Sequence, residues 1–378
     1  MLPYLSVFFL SSSLLALTDR IKKNQRSFLI VLALALPCFL AAYRADHIGT
    51  DTEVYLIPTI NAATYSNSFS EYLDTSWFRI WRFLVVRDFE RGFTVVVYIV
   101  TKVLGSFWTK FILETFIIIP VYMAIKKYNK YPVWLGMTVF YLTTYNSTLN
   151  MIRQSVAVSF TILGIVYLLE KNKIGFMACL LLATSFHVSG LALLLIRQLY
   201  YFVKVNNSGS DTLAVKVELR KVIIILITGI LTLLLLEFVP KLLTIIGLGN
   251  YINYFTGTFH FVPKQIIIRV PIMFFMWMNW KQWNKEEQNA RFFIAMFILT
   301  LLCLQLISVN IYSGRIAYYF SIIEILTYPS LCYCNAKKSK RFLMISLLLI
   351  YILIYWWFYY GVQGIDGTIP YVIYEGGL

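Results

Sequence analysis

Apolar runs about as long as a bilayer is thick recur along this chain, separated by short segments rich in Lys and Arg. A helix rising about 1.5 Å per residue needs about 20 apolar residues to cross the hydrocarbon layer. Runs of that order fall near 3–18, 28–43, 110–125, 133–149, 154–169, 222–238, 266–280, 292–308, 316–334 and 342–358. Composition points the same way: 59% of the 378 residues are hydrophobic and 13% charged, with a mean hydropathy of +0.71. A soluble domain carries about 25% charged residues, so a water-facing globular fold is excluded. The expected fold is an all-α polytopic membrane protein, with residues 1–378 forming a single integral membrane domain.

The net charge of +15 would suggest nucleic acid in a soluble protein. In a membrane protein, Lys and Arg gather in cytoplasmic loops. Six basic clusters (20–26, 126–130, 171–173, 204–221, 281–291 and 337–341) hold 20 of the 33 basic residues and are assigned to the cytoplasm, so no nucleic-acid partner is expected. Both termini then lie on the far side, and Met1–Thr18 reads as a first span rather than a removed signal peptide. Residues 174–203 are too few for two full spans and too many for one. Two half-helices meeting at Phe186-His187-Val188-Ser189-Gly190 solve the parity and bring the total to about 12 transmembrane helices. Residues 92–104 are apolar but short, and read as a re-entrant or interface-lying helix. The extracytoplasmic parts are 44–91 and a shorter segment, 239–265. The five cysteines sit in or at the ends of apolar runs without metal spacing, so they read as core residues and no metal or other cofactor is expected.

Outside the six clusters, Arg outnumbers Lys nine to four, the reverse of the clusters themselves. Arg offers a planar fork that binds phosphate or carboxylate through paired hydrogen bonds. Arg79, Arg82, Arg87 and Arg91 are better read as partners of Asp74, Asp88 and Glu90 or of lipid headgroups. Arg44, Arg153 and Arg315 each stand at the outer end of an expected span with no matching set of acids beside them. Convergence on a common anionic ligand is favoured over snorkelling to lipid phosphate. His187 occupies the break between the half-helices, and histidine is the side chain suited to taking or giving a proton in that place. His47 and His260 receive no role. Glu324, deep in a span, reads as a charge partner or a proton acceptor.

Several segments carry a resemblance. Arg44-Ala-Asp-His-Ile-Gly-Thr-Asp51 with Tyr55, Glu90-Arg-Gly-Phe93, Asn150-Met-Ile-Arg153-Gln154 with Ala157, Ala183-Thr-Ser-Phe-His187-Val-Ser189, Gly314-Arg315-Ile-Ala-Tyr318-Tyr319 and Pro370-Tyr371 occur in that order. Together they resemble the EpsG-like branch of the Wzy-type polysaccharide polymerases. One departure is Ser189-Gly190, where the family commonly has Ser-Ala, a small-for-small exchange that reads as harmless.

The resemblance implies a glycosyltransferase of the bacterial cytoplasmic (inner) membrane in O-antigen or exopolysaccharide synthesis. Such enzymes act on the outer face and use undecaprenyl-pyrophosphate-linked oligosaccharide as both donor and acceptor. The lipid bilayer is the surrounding partner, and there is room for a chain-length regulator. Departing pyrophosphate needs neutralising charge, and without an acidic metal motif the arginines are the natural source. Arg44, Asn150, Arg153, Gln154, Arg315 and Tyr318 are accordingly expected to bind pyrophosphate or glycan. His187 or Asp51 would accept the acceptor hydroxyl's proton. The runner-up readings are an O-antigen ligase, with the same donor and another acceptor, and a flippase or other transporter of lipid-linked oligosaccharide. Repeat symmetry, which many transporters show, is not visible. An acyltransferase is disfavoured by short, Lys-rich cytoplasmic loops.

Overall fold

The computed structural model describes residues 1–79, 82–203, 221, 223–231, 241, 244 and 258–374. Five helices among these are long and apolar enough to cross a membrane: Gln25–Tyr43, Ser106–Tyr128, Ile152–Leu169, Ala290–Ser308 and Lys338–Val362. Shorter apolar helices run Leu2–Thr18, Val133–Thr143, Lys173–Phe186 and Val188–Val203. The molecule is thus a predominantly helical membrane protein. Two compact units divide it: Met1–Leu191 with Leu343–Leu378, and Ala192–Phe342.

The first unit opens with α1 (Leu2–Thr18) and α2 (Lys23–Tyr43). Pro37 lies inside α2 and has no N–H, so the Ala33 carbonyl loses its helical donor. Ser11 of α1 supplies one instead, its Oγ donating to Ala33 O at 2.8 Å. The polar segment after α2 is folded. A π-helical turn, Thr52–Leu56, leads into α3 (Ile57–Tyr65), followed by α4 (Phe69–Asp74). Strands β1 (Ser76–Arg79) and β2 (Arg82–Val85) then pair antiparallel, with Trp77 opposite Leu84 and Phe78 opposite Phe83. This hairpin is the one sheet among the described residues of an otherwise helical chain. An isolated two-stranded hairpin is marginal in water. Here Trp77 anchors it, donating from Nε1 to Val54 O at 3.0 Å and stacking on Phe89.

Helix α5 (Arg91–Leu104) matches the short apolar stretch, and its 14 residues rise about 21 Å, less than a bilayer core. It buries Phe93, Thr94, Val97 and Thr101 and exposes Val95, Ile99 and Val103. Helix α6 (Ser106–Tyr128) ends on Asn129 in the left-handed region, with Lys126 and Lys127 facing the negative end of its dipole. The single helix expected over 133–149 is broken at Thr144, where φ is −129° and ψ −34°, giving α7 (Val133–Thr143) and α8 (Tyr145–Asn150). The break lets the buried Tyr145 hydroxyl donate to Pro37 O at 2.6 Å. After α9 (Ile152–Leu169) comes α10 (Lys173–Phe186), which stops at an extended His187 and a 3-10 turn, Val188–Leu191. The break falls where the parity argument put it.

The second unit starts with α11 (Ala192–Val203). Residues 223–231 of the run 222–238 are helical, while its remainder and most of the outer segment 239–265 lie outside the described residues. Helices α12 (Pro263–Ile267), α13 (Val270–Glu286) and α14 (Ala290–Leu304) follow. The continuous span expected over 316–334 is instead a series of short turns through Ser321, with α15 running only Glu324–Tyr333. At the break the bonding tightens to i→i−3, with Ile323 N donating to Phe320 O and Ile325 N to Ile322 O. Trp283 ties α13 to α15 by donating to Ser330 Oγ at 2.9 Å. Helix α16 (Lys338–Trp356) carries the chain back into the first unit, where Trp356 packs edge-on to Tyr4 and Phe8.

Candidate functional site

Asn150, the last residue of α8, is buried at the meeting point of three stretches that are distant in sequence. Its Oδ1 accepts from Thr50 Oγ1 at 2.7 Å and from the Asp51 amide at 3.4 Å. Its Nδ2 donates to Asp366 Oδ1 at 2.8 Å, and Ser147 Oγ donates to the other oxygen, Oδ2, at 2.6 Å. Asp366 holds a left-handed φ of 68°, a conformation Asp tolerates better than most residues. Gly49 makes the approach possible. Its φ is +81°, and a Cβ there would lie 2.3 Å from the Leu149 carbonyl oxygen.

Asp51 also receives the Tyr55 hydroxyl at 2.9 Å. Burial, then the Asp51 charge, push the Tyr55 phenol well above its ordinary pKa, so it keeps the proton it donates. Arg153, in the first turn of α9, lays its guanidinium 4.7 Å from the Tyr55 ring centre, 4.6 Å from Phe89 and 5.8 Å from Phe93. Such a cage holds a cation by cation–π attraction and excludes water from it. Glu90 pairs with Arg153 Nη1, while the buried Arg153 Nε reaches no acceptor. This corrects one expectation, since Arg153 does have an acid beside it. Arg79 pairs with Glu53 and Arg87 with Asp74.

His187 follows α10, and its Nδ1 lies 3.2 Å from the Ser189 amide and 2.5 Å from Ser189 Oγ. A backbone N–H can only donate, so Nδ1 is the acceptor and a neutral imidazole carries its proton on Nε2. Gly190 sits against the end of α10. A Cβ there would be 2.8 Å from the Ala183 carbonyl carbon and 2.9 Å from its Cβ. Glycine is the residue this turn accommodates at 190, because alanine would need the turn to move.

Arg44 closes α2 and is buried. Nη1 donates to Ala41 O at 2.5 Å, Nη2 to Thr52 Oγ1 at 3.2 Å, and Nε has no acceptor. Around it lie residues the sequence did not single out. Lys110 donates to Asp46 Oδ1 at 2.6 Å and to Arg44 O at 3.3 Å, and Glu114, one turn further along α6, accepts from Thr148 Oγ1 at 3.1 Å. The i, i+4 spacing of Lys110 and Glu114 was the available signal. The tail is stitched on here as well. Ala45 N donates to Val372 O, Tyr374 N to Tyr43 O, and Tyr371 Oη to Leu40 O.

Gln154 is buried in the first turn of α9. Arg315 and Tyr318 belong to the second unit, where the Arg315 guanidinium lies 5.0 Å from the Tyr312 ring centre. Glu324 has Arg269 as a charge partner, with Nε 3.9 Å from Oε1, and Arg269 Nη1 also donates to Gln265 O at 3.1 Å.

Among the described residues, no three His, Cys, Asp or Glu side chains gather closely enough to hold a metal ion. The polar groups gathered in the first unit include instead the Arg44 and Arg153 guanidiniums, the Asp366 carboxylate and the Asp51 backbone joined through Asn150, an imidazole and several hydroxyls. No curated protein and no solved structure matches the chain. A family model described as the EpsG family matches residues 27–373, nearly its whole length. The chain belongs to the EpsG family.

Proposed function

We propose that this protein is a polysaccharide polymerase that joins undecaprenyl-pyrophosphate-linked repeat units on the outer face of the bacterial cytoplasmic membrane. Family membership supports polymerase chemistry. The observation that carries the site is the Arg153 guanidinium, caged by Tyr55, Phe89 and Phe93, with a buried Nε that reaches no hydrogen-bond acceptor. An orphaned buried donor favours an anionic occupant, because leaving it unmade costs about 1–3 kcal/mol.

In the reaction, the acceptor hydroxyl oxygen bonds to the donor's anomeric carbon. The carbon–oxygen bond to phosphate breaks, and undecaprenyl pyrophosphate leaves with the bonding electrons. Arg153, with Arg44, binds the developing negative charge, with no metal required. Asp51 takes the hydroxyl proton. His187, with its proton on Nε2, serves better as a donor to pyrophosphate than as the base. Asn150 holds Asp51 and Asp366 in register, and Gln154 contacts glycan. The shorter helices complete about 12 crossings, with α5 lying re-entrant or in the interface.

The test is polymerisation of purified lipid-linked repeat units by reconstituted protein, read as a ladder on a gel. Wild type is expected to extend the units in the presence of chelator. Arg153→Ala is expected to abolish extension, and Arg153→Lys to restore it poorly, since a point charge lacks the fork. A chelator-sensitive wild type, or full chain length from Arg153→Lys, overturns this assignment.

A further inference from the structure

Glu90 is the N-cap residue of α5, yet its side chain makes no capping bond to that helix. An N-cap side chain ordinarily satisfies an amide of the first turn. Here the carboxylate turns away and divides its two oxygens. Oε2 takes the Arg153 guanidinium, and Oε1 accepts the Val188 amide at 3.1 Å. Val188 is the residue after His187, so one side chain joins the caged arginine to the turn that carries the imidazole. The joint is built into the packing. Gly92, two residues on, lies so close to the end of α10 that a Cβ would be 2.7 Å from Ser185 O. That close approach brings the start of α5 within reach of the turn after α10.

We propose that Glu90 is a positioning residue, setting the placement of the Arg153 guanidinium relative to the His187 turn so that both act on one pyrophosphate. This rests on the polymerase reading. The carboxylate touches neither sugar nor phosphate in this scheme. It also balances the arginine charge, so that removing it loosens geometry without weakening the attraction for an anion.

The experiment measures kcat and donor KM on purified lipid-linked repeat units for Glu90→Gln, Glu90→Ala and Val188→Pro, each normalised to folded protein. Proline at 188 deletes the amide donor, and the extended His187, at ψ 128°, suits a residue preceding proline. A misplacement of about 1 Å can reduce rate about 10²-fold. Each variant is therefore expected to lose at least about tenfold in kcat, with donor KM unchanged or lower. The Glu90→Ala/Val188→Pro double variant is expected to lose little more than either single one. Values of kcat within twofold of wild type, or a raised KM at unchanged kcat, overturn the proposal. Hydrogen exchange at the Val188 amide gives a readout independent of activity. Protection lost in Glu90→Ala supports the tie even if wild type fails to polymerise, which would sink the polymerase reading alone. Protection retained in Glu90→Ala overturns the tie itself.

Discussion

Replacing Asn150 by Asp tests whether one amide fastens the C-terminal tail to the end of α8. The Nδ2 donor would become an oxygen facing the Asp366 carboxylate across the 2.8 Å now spanned by a hydrogen bond. Losing a hydrogen bond to a charged acceptor costs about 1.5–3 kcal/mol. Two full charges about 3 Å apart at an effective dielectric of about 20 add about 5–6 kcal/mol of repulsion, which solvent at the half-exposed Asp366 reduces. Asn150→Ala forfeits the same bond and the Thr50 bond, about 2–4 kcal/mol together, without the repulsion. At pH 8 the expected order of stability is wild type, then Asn150→Ala, then Asn150→Asp. The facing carboxylates raise one folded pKa above its unfolded value of about 3.9. Proton binding to that group favours the folded state, so its contribution is complete below about pH 4 and is lost as pH rises through the raised value. Asn150→Asp should therefore gain on wild type as the solution is acidified. Asn150→Asp with Asp366→Asn reverses donor and acceptor and should recover most of the loss. Thermal unfolding in detergent can be followed with a thiol-reactive dye, since Cys38, Cys179, Cys332 and Cys334 are buried and free. Equal midpoints for Asn150→Asp and Asn150→Ala at pH 8, or no recovery in the exchanged pair, would refute the reasoning.

Two further predictions concern the turn after α10 and the orientation. Gly190→Ala forces a Cβ against the Ala183 backbone and should destabilise the protein by about 1–3 kcal/mol, seen as a lower unfolding midpoint; an unchanged midpoint would mean the turn yields freely. A single cysteine at Asn67 should react with an impermeant thiol reagent on intact cells, and one at Ser339 only after permeabilisation; the reverse pattern would invert the topology.

Sequence by itself determined the helical membrane character. Apolar run length and Lys/Arg clustering are local properties that a bilayer reads directly, and they also located the break at His187. Ordered motifs supplied the family. Pairing was another matter. Glu90 is three residues from Arg87 in the chain, but its carboxylate is held by Arg153, and Asp366 reaches Asn150 across more than two hundred residues. The break before Glu324 lies among residues as apolar as those of a continuous span, whereas the break at Thr144 falls in a polar stretch, with Thr143, Asn146 and Ser147 beside it. Hydropathy records only that a residue avoids water; which hydroxyl, amide or aromatic face it meets is settled when helices pack. Sequence fixes which polar groups must be satisfied, and only the tertiary structure decides which partner satisfies each, because those partners are brought together by chain segments that share no local signal.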